Sequence, residues 1–163
     1  MAEAWLSLGG NIGDRKAAMD AAVRRLGQLP GTAVTARSSY YRTAPVGPVA
    51  QDWFVNICVA IRTTLGEADL RVACRDIEAA MGRDRAREIS WGPRIADLDV
   101  IARSDIPDVP AHRELTRGYV IVPLAEIAPN LRVAGRAVSA ILAEADRAGV
   151  EKLGWPAPPV SAS

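Results

Sequence analysis

The sequence predicts an α+β fold in which helices pack on one sheet. Apolar segments of strand-like composition occur at four places in the N-terminal two thirds of the chain, and two segments with helical spacing lie between them. In chain order these elements read β-α-β-β-α-β, which is the ferredoxin-like arrangement. Helical patterns recur after them, so extra helices are expected at the C-terminal end.

The first strand, residues 5–8, ends at a glycine turn that leads into a helix. Asp14 is suited to cap this helix, because its carboxylate can accept backbone N–H groups of the first turn. Apolar residues recur at helical spacing as far as Leu29, and Pro30-Gly31 ends the helix. A glycine turn between a strand and a helix can bind phosphate, but neither G-x-G-x-x-G nor Walker A is present. The turn alone is therefore a weak signal.

The sequence marks the two central strands in different ways. Residues 32–41 are rich in Thr, Val, Ser and Tyr, which favours a second strand. Residues 54–63 alternate regularly between two faces, and this alternation places Phe54 and Asn56 on the same face. The segment between these strands contains prolines and a glycine and is predicted to be an ordered loop.

A second helix and a fourth strand complete the core pattern. Apolar residues at helical spacing predict a helix over 66–81, and Gly82 ends it. The polar loop 83–90 is a candidate lid. Residues 97–102 are predicted to form the fourth strand.

The C-terminal part predicts two more helices and a tail. Segment 117–128 fits a strand or a helix, and Pro123, suited to a first helical position, favours a short helix after it. Residues 137–148 have the spacing of another amphipathic helix. The expected domain covers residues 1–153, and residues 154–163, which contain Pro and Ser, are expected to be a disordered tail.

Composition limits the classes of function. The chain has 163 residues, 49% hydrophobic and 24% charged, with a net charge of +1. This length suits one domain, and the near-neutral charge provides no basic field for nucleic acid. No apolar run approaches the roughly 20 residues of a membrane span. Cys58 and Cys74 lie in apolar surroundings and are predicted to be buried free thiols, so we expect a cytoplasmic protein.

The most informative pattern starts at Trp91 and runs through Gly-Pro-Arg into the fourth strand. Strand geometry places Asp97 and Asp99 on one face, roughly 6–7 Å apart. Like charges at this distance favour a shared cation, and Mg²⁺ suits oxygen ligands while it retains water or phosphate. The arginines available to bind phosphate are Arg83, Arg85, Arg87 and Arg94. The pattern indicates a metal–phosphate site, although the same aspartate spacing also occurs on exposed edge strands.

Segments along almost the whole chain resemble one family, the 6-hydroxymethyl-7,8-dihydropterin pyrophosphokinases of folate synthesis. The block 91–99 is highly specific for that family, whereas the glycine turn is not. The other matching segments are residues 8–14, 39–48, 51–56, 77–78, 82–85, 117–119 and 123–129. The family has a ferredoxin-like fold, which agrees with the predicted order of elements.

The resemblance implies an activity and a set of site residues. Members transfer pyrophosphate from MgATP to the hydroxymethyl group of the pterin and release AMP, with two Mg²⁺ ions as cofactors. Asp97 and Asp99 match the aspartates that hold the ions, and Arg83 and Arg94 complete the catalytic set. The ATP-binding positions are matched by Glu78, Arg85, Trp91, Arg94, His112 and Arg117. The pterin-binding positions are matched by Thr43, Ala44, Val46, Phe54, Asn56, Trp91 and Tyr119.

The resemblance also implies how the pterin is held. Phe54 and Tyr119 would stack on the ring, while Asn56 and Thr43, with backbone groups of the following loop, would bind its polar edge. Trp91 would close over the pocket.

The chain departs from the family pattern at four places. Gly10 replaces a serine in the first turn, and Ser90 stands where an arginine usually precedes the tryptophan. His112 lies one position later than the family's histidine, and the connection 99–110 is several residues shorter than usual. The last three changes concern the expected nucleotide site.

Other interpretations stay open at this point. The chain could be a diverged paralogue, a non-catalytic ferredoxin-like module that binds a ligand or a partner, or a metal-dependent nucleic-acid enzyme. The near-neutral charge and the lack of interleaved aromatic and basic residues count against the last of these. We expect small-molecule substrates, no nucleic-acid or membrane partner, and a monomer.

Overall fold

The computed structural model describes residues 1–84, 86, 92–106 and 112–160, and in these residues the predicted α+β fold is confirmed. The strands are β1 (Ala2–Gly10), β2 (Thr32–Arg37), β3 (Tyr41–Thr43), β4 (Phe54–Thr63), β5 (Asp97–Arg103), β6 (Arg132–Val133), β7 (Arg136–Ala137) and β8 (Val150–Lys152). The helices are α1 (Arg15–Gly27), α2 (Glu67–Ala80), α3 (Gly118–Ile127) and α4 (Val138–Glu144).

In the described part of the chain, a six-stranded antiparallel sheet forms the centre of the fold. Its order is β5-β1-β4-β3-β8, and β2 also pairs with β4, while β6 and β7 form a separate two-stranded sheet. Gly9 near the end of β1 pairs with Asn56 of β4 and with Asp97 of β5. The end of β1 and the starts of β4 and β5 therefore meet at one end of the sheet, and they bring distant parts of the sequence together.

Helices cover both faces of this sheet. On one face, α1 and α2 pack on the four alternate apolar residues of β4, which are Val55, Ile57, Val59 and Ile61. On the other face, α3 and α4 pack around Cys58 of the same strand. Because β4 is buried on both sides, seven of its ten residues are apolar.

Several local predictions are confirmed. The observed bounds of β4 are those of the predicted third strand, and α2 differs from the predicted helix by one residue at each end. The carboxylate of Asp14 accepts the backbone N–H of Ala17 at 3.0 Å and caps α1. Cys58 and Cys74 are free and buried.

The predicted single strand over 32–41 is wrong, because the chain forms two strands, β2 and β3, with a break between them. Within the break, the hydroxyl of Ser38 accepts the backbone N–H of Cys58 at 2.9 Å. The side chain of Tyr40 is fully buried in the core, where its hydroxyl donates to Asp20 of α1. A side-chain hydrogen bond and the burial of a large ring thus interrupt the strand pattern.

The prediction that a short helix follows Pro123 is also wrong, because α3 begins at Gly118 and contains Pro123 in its interior. An interior proline removes a helical hydrogen bond and costs about 3 kcal/mol. Val120, Ile121 and Leu124 of the same helix are almost completely buried against the sheet. Burial of three such side chains contributes roughly 1.5–3 kcal/mol each and outweighs the proline penalty.

The helix predicted over 137–148 is shorter than expected. It ends at Glu144, and the chain then turns back and forms β8, which pairs with β3 and becomes the edge of the sheet. Helical spacing in the sequence cannot show that a sheet edge is available for pairing, and pairing with that edge ends the helical segment early.

Residues 154–160 follow β8 without helix or strand. The ring of Trp155 lies 5.5 Å from the ring of Tyr40, and Val160 also packs against the core. The expected division into a domain over 1–153 and a tail over 154–163 stays a prediction. Among the described residues, no helix combines the length and the apolar character that a membrane crossing would need.

Candidate active site

A cavity of about 360 Å³ opens at the end of the sheet where β1 ends and β4 and β5 begin. Its described lining consists of Ser7, Gly9, Thr43, Ala44, Val46, Phe54, Asn56, Arg83, Gly92, Arg94, Asp97, Asp99, His112, Arg113, Glu114 and Tyr119. This lining includes every described member of the predicted catalytic and pterin-binding sets. The structure thus brings together residues that lie far apart in the sequence.

The two aspartates of β5 line this cavity, as the strand alternation predicts. Burial raises the pKa of Asp99 to about 7, and the negative charges of Asp97, Glu78 and Glu114 act in the same direction. The neighbouring negative charges, which favour a proton on Asp99, also favour a metal cation beside it. The pair therefore fits a divalent cation.

No group of three or more His, Cys, Asp or Glu side chains in the described residues is arranged to hold a metal ion. A cation bound at Asp97 and Asp99 would need further ligands from water or phosphate oxygens. Mg²⁺ commonly binds in this way, through one or two carboxylates together with substrate phosphates.

Two arginines flank Asp97. Arg83 Nη1 donates to Asp97 Oδ1 at 2.9 Å, and Arg94 Nη1 donates to Asp97 Oδ2 at 3.1 Å. The side chain of Arg83 is only 6% exposed, whereas that of Arg94 is 19% exposed. Both guanidinium groups lie at the cavity wall, where they add positive charge beside the carboxylates.

Glu78, a predicted ATP-binding residue, lies behind this group. Its side chain is 3% exposed, and its Oε2 accepts from Arg83 Nη1 at 2.5 Å and from the backbone N–H of Leu98 at 3.0 Å. Burial raises the pKa of Glu78. The carboxylate thus connects α2 to Arg83 and to the start of β5, between the two aspartates.

Another part of the cavity lining carries aromatic and amide side chains. Phe54 and Tyr119 line it together with Thr43 and Asn56. Thr43 Oγ1 donates to Asn56 Oδ1 at 2.6 Å, and Asn56 Nδ2 donates to the carbonyl of Leu8 at 3.3 Å. An amide side chain can donate two hydrogen bonds and accept two. These two bonds therefore use half of the hydrogen-bonding capacity of Asn56. The arrangement suits a flat heterocycle with a polar edge.

Glu114 is a cavity residue that the sequence reasoning missed. Its carboxylate, 12% exposed, accepts a hydrogen bond from the hydroxyl of Tyr119. Burial raises the pKa of Tyr119, and the bond to Glu114 adds to the shift, so the phenol stays protonated. In the sequence, the only sign of this role is that Glu114 lies five residues before Tyr119, a predicted site residue. Such a separation is common and is not specific for a hydrogen bond.

His112, also predicted to bind ATP, is half-buried at the cavity. Its Nδ1 accepts the backbone N–H of Glu114 at 3.1 Å. Burial lowers the pKa of the imidazole, which favours the neutral ring. With Nδ1 as an acceptor, the neutral ring carries its proton on Nε2 and can donate from that atom.

Asn11, in the glycine turn, is a second residue that the sequence reasoning missed. Its backbone N–H donates to the carbonyl of Arg94 at 2.9 Å, and its Oδ1 accepts the backbone N–H of Arg94 at 2.9 Å. Its Nδ2 donates to Gln51 Oε1 at 3.0 Å and to the carbonyl of Asp52 at 2.9 Å. The turn thus positions the arginine-bearing segment instead of offering a phosphate loop.

The turn and the Arg94 segment lie so close together that only glycine fits at position 10. A Cβ built on Gly10 would lie 2.0 Å from the carbonyl oxygen of Ile95. A serine at this position would therefore force the backbone of the Arg94 segment away.

The remaining predicted ATP-binding residues are placed elsewhere or lie outside the described residues. Arg117 lines a neighbouring, smaller cavity of about 220 Å³, and its guanidinium is half-exposed, 3.8 Å from Glu114. Arg85 and Trp91 lie outside the described residues, as does most of the predicted lid, 83–90.

The residues that line the cavity could hold phosphate groups next to a flat organic molecule. Residues 5–129 match the family model 7,8-dihydro-6-hydroxymethylpterin-pyrophosphokinase (HPPK). The chain therefore belongs to this family. It is an ATP-dependent pyrophosphokinase, a transferase of folate biosynthesis.

Curated relatives support the same assignment. The chain is 47% identical over 159 residues to the 2-amino-4-hydroxy-6-hydroxymethyldihydropteridine pyrophosphokinase of Methylorubrum extorquens, with 94% of this chain and 99% of the relative covered. It is 40% identical over 153 residues to the protein of the same name from Bacillus subtilis, with 90% and 87% covered.

Solved structures support the fold. The HPPK-DHPS triple mutant of Plasmodium falciparum, crystallised with pteroate, aligns with a TM-score of 0.67 at 13% identity over 88% of this chain. This chain spans 43% of the length of that chain.

Proposed function

We propose that the chain transfers the pyrophosphoryl group of ATP to the hydroxymethyl group of 6-hydroxymethyl-7,8-dihydropterin and releases AMP. The observation that carries the proposal is that one cavity holds an aromatic and amide pocket next to a carboxylate and arginine group. The first suits a pterin ring and the second suits a metal-bound triphosphate. Because both groups of residues line the same cavity, the pterin and the triphosphate could bind side by side, which suits direct transfer between them.

In this proposal Phe54 and Tyr119 stack on the two faces of the pterin. The amide of Asn56, the hydroxyl of Thr43 and backbone groups of the loop that contains Ala44 and Val46 bind its polar edge. These assignments are supported by the position of all six residues in the cavity lining. Trp91 would close over the pocket, and its structure lies outside the described residues.

Asp97 and Asp99 would hold the two Mg²⁺ ions of the MgATP complex. When bound, Mg²⁺ supplies positive charge that offsets the charge developing on the phosphate oxygens. Arg83 and Arg94 add guanidinium donors beside the same carboxylates. His112, in its neutral form, would donate from Nε2 to a nucleotide oxygen, and Arg85 and Arg117 would contact ATP from outside the cavity centre.

The contacts of Glu78 support an indirect role. Its carboxylate is occupied by Arg83 and by the backbone of Leu98. Glu78 would therefore hold Arg83 and the start of β5 in place for ATP and would not touch the nucleotide itself.

The reaction follows from positioning. The oxygen of the pterin hydroxymethyl group attacks the β-phosphorus, the bond from that phosphorus to the α,β-bridging oxygen breaks, and AMP leaves with that oxygen. The hydroxyl proton is released in the same overall reaction. Phosphoryl-type transfers of this kind depend mainly on alignment and on neutralised charge, so a strong base is not required.

The test is an assay for AMP with purified protein, Mg²⁺, ATP and the reduced hydroxymethylpterin. We expect AMP only when all components are present. Asp97→Asn and Asp99→Asn should each reduce the rate at least about a hundredfold, since each removes a charged ligand from the metal site. Asp76→Asn, a change of the same kind at an exposed position of α2, serves as the control and should retain the wild-type rate.

Absence of AMP with the complete mixture would contradict the proposal. Calorimetric titrations with ATP and with the pterin separately would then show whether the chain is a paralogue with another substrate or a binding module.

We also propose that the enzyme works as a monomer in the cytoplasm and binds no nucleic acid. Family membership and the small-molecule character of both substrates support this proposal. Light scattering after gel filtration tests the oligomeric state.

A further inference from the structure

The turn formed by residues 146–150 packs against the loop that lines the pterin side of the cavity. The backbone N–H of Ala44 donates to the carbonyl of Gly149 at 2.9 Å. In the sheet, Thr43 of β3 pairs with Val150 of β8, which extends this contact by one residue. The last strand of the described chain is therefore joined to the wall of the predicted pterin pocket.

Gly149 allows an approach that another residue would prevent. Its φ is +74°, a backbone conformation that favours glycine. A Cβ built on Gly149 would lie 2.9 Å from the Cβ of Ala44 and 3.7 Å from its backbone nitrogen. Since the Cβ of Ala44 is attached directly to the backbone, relief of this contact requires a shift of the cavity wall itself.

The same turn also packs against the other wall of the pocket. A Cβ built on Gly118 would lie 2.7 Å from the carbonyl oxygen of Asp146 and 3.0 Å from Val150 Cγ2. Gly118 directly precedes Tyr119, the aromatic residue that we expect to stack on the pterin. The smaller cavity of about 220 Å³ is lined by both walls and by the turn between them.

The turn has hydrogen bonds of its own that hold its shape. The backbone N–H of Ala148 donates to Asp146 Oδ1 at 2.9 Å, and that of Val150 donates to the carbonyl of Arg147 at 3.2 Å. A turn with these internal bonds, wedged between two walls, can determine their separation.

We propose that the turn 146–150 sets the width of the pocket between Ala44 and Tyr119, and that Gly149 and Gly118 are positioning residues for the flat pterin ring. Both act through the walls that they contact. The turn packs on Ala44 and Gly118, whereas Arg83, Arg94 and Asp97 are bonded to one another and to Glu78 of α2. The contacts of that group with ATP should therefore be spared, although Arg117 lines the smaller cavity beside the turn. This inference rests on the function proposed above.

The test compares two glycine-to-alanine variants of matched backbone conformation. Gly149→Ala introduces both an unfavourable φ and the contact with Ala44. Gly135→Ala, at φ +80°, introduces only the unfavourable φ, because a Cβ there meets nothing within 4 Å. In Gly149→Ala we expect KM for the pterin to rise about tenfold or more while KM for ATP changes less than about twofold, since small displacements of a binding wall weaken orientation strongly. In Gly135→Ala neither constant should change.

A second substitution separates the contact from backbone strain. Ala44→Gly removes the atom that the new Cβ would meet, so the double variant Gly149→Ala with Ala44→Gly should recover most of the lost pterin affinity. If Gly149→Ala does not fold, recovery of folding and of the pterin KM in the double variant supports the same contact. Gly118→Ala tests the other wall and should also raise KM for the pterin selectively.

The outcomes are distinguishable from a failure of the proposed function. Wild-type protein that forms no AMP would overturn the function and the inference together. An active wild type whose pterin KM is unchanged in Gly149→Ala, or in which both substrate constants rise equally, would overturn the positioning role alone. Failure of the double variant to recover would do the same.

Discussion

Arg83, which we propose as a catalytic residue, is a buried side chain held by two carboxylates. Its guanidinium lies between Glu78 and Asp97 and is 6% exposed, so its position is determined by two carboxylates. A planar guanidinium carries five N–H donors in a fixed geometry, so it can donate to both carboxylates at once. A lysine would retain the charge but would offer only one ammonium group for these contacts.

We therefore expect Arg83→Lys to slow transfer at least about tenfold, the effect of losing one charged hydrogen bond, while the pterin Kd stays within about threefold. Rates of AMP formation and calorimetric titration with the pterin measure the two quantities. Arg75→Lys, exposed on α2, is the matched control. An equal loss of rate and of pterin affinity would contradict the assigned role.

At the scale of elements, three loops meet at the turn between β1 and α1. Asn11 joins this turn to the Arg94 segment and to the loop that contains Gln51 and Asp52. Asn11 is 5% exposed, so its hydrogen bonds are shielded from water. The three loops are consequently held by one amide side chain.

For this reason Asn11→Asp should be destabilising although it preserves the shape of the side chain. The new carboxylate can still accept the backbone N–H of Arg94. Its second oxygen, however, takes the place of the amide nitrogen and faces two acceptors, Gln51 Oε1 and the carbonyl of Asp52. We expect a loss of roughly 1–3 kcal/mol in the free energy of unfolding, as for a buried group left without its partner. Urea denaturation measures it, with the exposed Asn130→Asp as control. A loss no larger than in the control would show that the loops are held by other contacts.

At the scale of the whole molecule, a buried charged group connects α1, β2 and the C-terminal segment. Asp20 accepts from the hydroxyl of Tyr40 and from Lys16 at 2.9 Å, and Arg37 Nη2 lies 3.2 Å from it. The ring of Trp155 packs on Tyr40. Burial by itself would raise the pKa of Asp20, but the hydrogen bonds and the nearby positive charges outweigh burial and lower it.

A carboxylate whose pKa is lowered by folding stabilises the protein above its unfolded pKa of about 3.9, and the contribution disappears as the pH falls through the folded value. Asp20→Asn should therefore reduce stability by roughly 2–4 kcal/mol at pH 7, since it leaves Arg37 buried without its counter-charge. The difference from wild type should shrink as the pH falls below about 4. Thermal unfolding at pH 7, 5 and 3 measures this, with Asp76→Asn as control. A difference that does not depend on pH would contradict the ion pair.

A strand or helix could be predicted from the sequence when its pattern of apolar residues was long enough to show a period. The ten alternating residues of β4 predicted its bounds, and the spacing of Asp97 and Asp99 predicted their common face. Strands of two or three residues, such as β6, β7 and β8, contain too few residues for any periodicity. The roles of Asn11 and Glu114 could not be predicted either, because their partners are set by contacts between separate segments.

The sequence by itself determined the order of the longer elements β1, α1, β4, α2 and β5, the apolar faces that form the core, and the chemical types of the candidate site residues. These properties depend on local periodicity and on short motifs, which are complete within each segment. Only the tertiary structure decided that Glu78 is buried behind Arg83, that Asn11 holds the Arg94 segment, and that the turn at Gly149 packs against Ala44. These are contacts across 5, 83 and 105 residues of chain. The two long-range contacts arise when strands pair and helices pack, so no local pattern records them, and Glu78 is held in addition by the backbone of Leu98 in β5.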